Sequence, residues 1–204
     1  MSLLRGNISL RRFLVVGPVP TVENLLDGLR RNAFRPFEDG LEEERTGWCD
    51  WRNLLITPPD ENWLSQDRFV VFSLRIDTRK VPGALLRAHV DLRIEKSEKS
   101  KESAFLAKKK YNTSIRNEVN SELLLEVLPT PKISELVWDT KGGILLTTVS
   151  SNGAQSALTS LFIKSFGCKL QPVTPLVLAE RLLPNLSIEQ LMLLNPLILT
   201  META

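Results

Sequence analysis

The sequence predicts an α+β fold: an antiparallel-sheet body with flanking helices, and a long helical hairpin inserted into it as a projecting finger. Three observations point there. Short β-branched and aromatic segments recur between turn-forming residues, as strands do. After Pro82-Gly83 the apolar spacing changes from alternation to a helical period of about 3.6, and Pro129 and Pro131 end that stretch. Strands and helices also follow one another without the glycine-rich phosphate loops of parallel βαβ units. With 204 residues, 43% of them hydrophobic, the chain can bury a core without disulfides or metal. Residues 1–80 and 128–204 are expected to form the body, and residues 81–127 the arm.

In chain order, residues 7–16 alternate weakly and read as a strand, broken by Gly17-Pro18-Val19-Pro20. Thr21 then offers an N-cap to a helix whose apolar positions are Val22, Leu25, Leu26 and Leu29. Arg35-Pro36 and Asp39-Gly40 mark loops, and residues 46–51 read as an edge strand. Residues 68–76 give the strongest strand signal, with Phe69, Val70, Val71, Phe72, Leu74 and Ile76. Leu85, Leu86, His89, Val90, Leu92 and Ile94 are expected on one amphipathic helix face that fades near Lys96. Polar residues 95–102 make the turn of the hairpin, and Tyr111, Ile115, Val119, Leu123 and Val127 recur every four residues on the return helix. Residues 133–138 and 144–149 are strands around a turn at residues 139–143. Ser151 or Asn152 caps a helix that Gly167 stops. A strand over residues 169–173 and a short helix over 175–183 follow, while residues 186–199 are apolar but fit no single element.

Little in the chain carries catalytic chemistry. His89 is the only histidine, and Cys49 and Cys168 lie far apart outside any CxxC pattern. Free thiols of a cytoplasmic protein are the plain reading. One histidine and two thiols fall short of a four-ligand zinc site. Glu42, Glu43 and Glu44 point in different directions, and no strand-borne Asp with a following Glu-x-Lys triplet appears, so no catalytic residue, metal or cofactor is expected. Trp48, Trp51, Trp63 and Trp138 could stack on bases, yet packing is the simpler role for each. The longest apolar runs are strand-sized, so no membrane span is expected.

Charge is more informative. The net charge is +2, but residues 79–118 hold eleven Lys/Arg against five Asp/Glu, a local +6, leaving −4 on the remainder. A basic segment on an otherwise acidic chain attracts and orients polyanions. The candidate DNA-binding residues are Lys96, Lys99, Lys101, Lys108, Lys109, Lys110 and Arg116. With Tyr111 and Ile115 turned inward, the three consecutive lysines would flank the packed stripe and reach solvent. Arg5, Arg11 and Arg12 are the next candidates.

The order of motifs resembles the RdgC-like recombination-associated family. The residues that carry the likeness are Asn32-Ala33-Phe34-Arg35-Pro36 and Thr46-Gly47-Trp48, then Leu128-Pro129, Val137-Trp138-Asp139-Thr140 and Gly143. The helix from Ala154 through Leu161, residues 170–176, and a helical hairpin between the strand at residues 69–76 and Pro129 complete it. The resemblance implies a non-catalytic protein that forms a head-to-head dimeric ring with a basic interior. It implies binding to double-stranded DNA with little sequence preference, restraint of recombinase filaments, and a place at the bacterial nucleoid. Against the pattern the resemblance implies, the family's usual C-terminal third is expected to be missing here. This chain's connection from Pro129 to Trp138 is shorter and lacks the phenylalanine the family places near the finger base. Both departures bear on ring closure, which the family achieves through two contacts; an open dimer would keep DNA affinity and lose topological trapping. The apolar residues 191–199 also favour a homodimer. The leading expectation is a duplex-DNA binder that modulates recombination or replication. The alternatives are a protein-interaction module whose basic arm docks an acidic partner, and an exonuclease.

Overall fold

The computed structural model describes residues 8–38, 40–57, 64–65, 68–98 and 105–183, with residues 185, 187, 189, 190 and 193. Its elements are β1 (Arg11–Val16), α1 (Val22–Arg31), β2 (Glu44–Cys49), β3 (Leu64–Ser65), β4 (Phe69–Thr78), α2 (Gly83–Glu98), α3 (Phe105–Glu126), β5 (Thr130–Asp139), β6 (Ile144–Thr147), α4 (Asn152–Phe166), β7 (Lys169–Pro172) and α5 (Pro175–Leu182). The fold is α+β. All strands join one antiparallel sheet in the order β2-β4-β5-β6-β1-β7, with β3 alongside the start of β4.

Strand alternation decides which face is covered. Val70, Phe72, Leu74 and Ile76 of β4 point to the same side as Leu136 and Trp138 of β5, Leu145 of β6, Phe13 of β1 and Trp48 of β2. α4 lays Ala154, Leu158, Phe162 and Phe166 onto that face, and α1 adds Leu25 and Leu29. The aromatic rings interlock: Trp138 and Phe166 lie 5.3 Å apart, Phe162 and Phe166 4.8 Å, and Trp48 meets Phe72 edge-on at 5.1 Å. The indole N–H of Trp48 donates to Ser165 Oγ at 2.8 Å, so that ring is buried without losing its hydrogen bond. Gly28 lets α1 touch α4, because a Cβ there would collide with the Ser165 carbonyl.

Capping chemistry sets the helix ends. The Thr21 and Ser151 hydroxyls accept from the N–H groups of Asn24 and Ala154, both at 3.3 Å, and Gly167 closes α4 in the left-handed region at φ 70°. Several expected boundaries move. The edge strand occupies Glu44–Cys49 rather than residues 46–51, and β3 has no counterpart in the sequence reading. α2 runs through Glu98 and α3 begins at Phe105, because no Gly or Pro interrupts either segment. β5 starts at Thr130, ahead of Pro131, in a stretch where only β4 lies alongside; pairing with β6 begins at Leu136. Residues 186–199 lie mostly outside the described residues.

Candidate nucleic-acid interface

The arm is built on a short apolar seam. Leu86, Val90 and Ile94 of α2, one turn apart, meet Ile115, Val119 and Leu123 of α3, while Val81, Leu124 and Val127 close its base. This cluster is separate from the core under the sheet. The expectation of one apolar face on α2 fails in part: Leu85 is 43% exposed, Leu92 is 56% exposed, and His89 is exposed with them. They lie on the flank of the helix, about 100° or more from the seam direction. Tyr111 is likewise 50% exposed rather than turned inward; it lies off the stripe of Ile115, Val119 and Leu123. On the same flank Arg93 makes a two-pronged pair with Glu122, both bonds at 2.9 Å. That pairing holds the Glu122 carboxyl below its ordinary range, with a smaller contribution from His89.

Lys96 is exposed in the last turn of α2, and Arg116 is exposed on α3. Lys108, Lys109 and Lys110 fall in α3 near its start, so their attachment points fan over about 200° of the helix surface. Lys99 and Lys101, and the side chains of the three consecutive lysines, lie outside the described residues. The described helices thus carry Lys96, the three consecutive lysine positions and Arg116, and charge is divided unevenly along the segment. Residues 96–110 carry six lysines against Glu98 and Glu102, whereas Glu118, Glu122 and Glu126 follow in the second half of α3. Two cations counted in the basic segment are already committed. Arg93 is paired, and Arg79 is only 6% exposed, donating to the Gly40 and Glu42 carbonyls with its guanidinium 4.1 Å from the Phe37 ring centroid. The acidic second half of α3 and these two commitments escaped the sequence reading, since a charge count weighs every residue alike.

The remaining candidates are structural. Trp48 and Trp138 are fully buried, and Trp51 is half-buried with Arg52 5.7 Å from its ring centroid; Trp63 lies outside the described residues. Both cysteines are buried and free, and burial pushes the Cys49 thiol up to about 12. Glu42 is held by Arg45 at 2.7 Å. Among the described residues no group of three or more His, Cys, Asp or Glu could hold a metal ion, and no helix is long and apolar enough to cross a membrane.

The segment Asn32-Ala33-Phe34 and the later Gly47-Trp48 pair are tied together. Phe34 N–H donates to the Trp48 carbonyl at 2.7 Å, and Trp48 N–H donates to the Asn32 carbonyl at 2.9 Å. Gly47 makes the approach possible, because a Cβ there would collide with the Phe34 backbone. The Arg75 guanidinium, anchored to Asp77 at 2.6 Å, then covers the buried Phe34 ring at 4.0 Å.

These features define a class: an antiparallel α+β body bearing a helical arm, with lysines concentrated around the link between its two helices. The chain belongs to the RdgC family, whose model, described as "Putative exonuclease, RdgC", matches residues 9–186. No curated protein matches the chain. Membership fits a recombination-associated role.

Proposed function

We propose that the chain is a non-catalytic protein that binds double-stranded DNA without reading its sequence and so modulates recombination or replication. The observation that carries this reading is the charge pattern of the arm: six lysines between Lys96 and Lys110 on a chain whose residues outside 79–118 carry net −4. Lysines at such positions contact phosphates and release condensed counterions, which gives sequence-blind, steeply salt-dependent affinity. Recombinase filaments on the same DNA are the partners that such binding would restrain, and the working unit is a homodimer. A protein-interaction arm is the second reading, favoured by the exposure of Leu85 and Leu92.

Titration of two unrelated duplexes of equal length at several salt concentrations tests the first reading. Dissociation constants within a few-fold of each other, rising together with salt, are expected. A strong preference for one sequence at matched salt would contradict it, as would magnesium-dependent shortening of an end-labelled duplex, which would establish an exonuclease. Light scattering of the protein alone should give twice the 23.0 kDa chain mass, and with duplex bound that mass plus the duplex's own.

A further inference from the structure

Helical spacing sorts the exposed side chains of the arm into stripes. On α2, Leu85, His89, Leu92 and Lys96 follow one another at intervals of four, three and four residues, which keeps them in one line along the helix. All four are exposed, and none belongs to the seam of Leu86, Val90 and Ile94 that faces α3. On α3, Glu118, Glu122 and Glu126 recur every fourth residue, with Leu125 three residues past Glu122. These four are exposed as well.

Contacts across the hairpin bring the two stripes to one flank. Arg93, one turn beyond His89, grips Glu122 with two hydrogen bonds. His89 helps to lower the Glu122 carboxyl, and Glu118 helps to raise the Arg93 guanidinium, so all four groups lie within electrostatic reach. Glu122 is thereby occupied. Among the described residues, Glu118 and Glu126 have no cation within ion-pair distance. The half of this flank nearer the sheet thus sets an apolar line beside an acidic ridge, whereas the lysine cluster begins at Lys96 and continues outward. A line of leucines at this spacing is what a second helix covers, and open carboxylates beside it select for a cationic one.

We propose that this flank of the arm docks an amphipathic helix of a partner protein, one whose apolar stripe is bordered by Lys or Arg. Leu85, Leu92 and Leu125 cover the partner's stripe, and Glu118 and Glu126 take its cations as Glu122 takes Arg93. The lysines from Lys96 outward repel such a helix, which confines it to the half of the arm nearer the sheet. The inference does not use the duplex-binding reading. It deepens the reading of a protein-interaction arm, and gives that arm a partner opposite in charge to the one its lysines would draw.

The test uses the full chain and two labelled helical peptides of ~21 residues, each with leucine at the two apolar positions of every heptad. One carries lysine beside the leucines and the other glutamate. Fluorescence anisotropy is read for the parent, for Leu85→Ser, Leu92→Ser, and for Glu118→Gln, Glu126→Gln, which spares Glu122. All the substituted side chains are exposed, so melting temperatures should match the parent's. The parent should bind the lysine peptide and not the glutamate peptide. The leucine variant should weaken that binding by about tenfold or more, and the glutamate variant should weaken it and flatten its salt dependence. Equal binding of the lysine peptide by the parent and both variants would overturn the flank as the site. Binding of the glutamate peptide alone would overturn this partner and leave an arm that docks acidic proteins, and binding of neither would overturn both. A dimer that falls to single-chain mass in the leucine variant would place a second copy on this flank and overturn the separate partner.

Discussion

Gly47 carries a demand out of proportion to its size. The backbone of Phe34 crosses where a side chain would stand, and the Phe34 ring is sealed beneath Arg75. Gly47→Ala must push apart the two segments bonded through Trp48 and Asn32, and overpacking of this kind costs about 1–3 kcal/mol. A lowered chemical-denaturation midpoint is the expected result; an unchanged midpoint would show that the segment yields freely. Asp139 makes a different demand. The Arg68 guanidinium grips its carboxylate, bonded at 2.6 and 2.8 Å, and the Gly142 N–H donates to it as well, holding its pKa at about 2. A carboxyl whose folded value lies below its ordinary value of about 3.9 contributes stability above that ordinary value and loses it as pH falls through the folded value. Stability should therefore decline between about pH 4 and pH 2, and Asp139→Asn should flatten that part of the profile. Denaturation midpoints taken across this range check the prediction, and identical profiles for both proteins would refute it.

The two apolar clusters behave as separate elements. Ile115, Val119 and Leu123 stabilise only the arm, whereas Phe72, Trp138 and Phe162 hold the sheet to α4. Ile115→Ala should cost about 2–5 kcal/mol locally, as large-to-small core changes do, and should appear in hydrogen exchange as reduced protection over α2 and α3. Amides of β4 and β5 should keep theirs; an equal drop in both regions would mean that arm and sheet open as one unit. What the sequence shows at this scale follows from locality. The Thr21 and Ser151 caps, the Gly167 stop and the spine strand Phe69–Thr78 can be read directly, because their causes lie within a few residues. The orientation of Leu85 and Leu92 cannot. α2 carries apolar residues on two flanks, and only the partner helix decides which one is buried. The same reason hides Arg79, whose partners at Gly40 and Glu42 come from a distant loop.

For the whole molecule, charge is divided unevenly along the arm. Within the arm segment six lysines fall between residues 96 and 110, while Glu118, Glu122 and Glu126 follow in the second half of α3. Composition alone reveals a basic stretch in one segment; it does not reveal which cations the fold commits elsewhere, such as Arg93 to Glu122. On the proposed function, the arm lysines hold duplex DNA through its phosphates. The most direct test is the salt dependence of duplex binding by Lys108→Ala, Lys109→Ala, Lys110→Ala. Weaker binding to every duplex alike is expected, with a slope lower by roughly one unit for each phosphate no longer neutralised and a melting temperature close to the parent's. Parent-like binding by this variant at every salt concentration would contradict it.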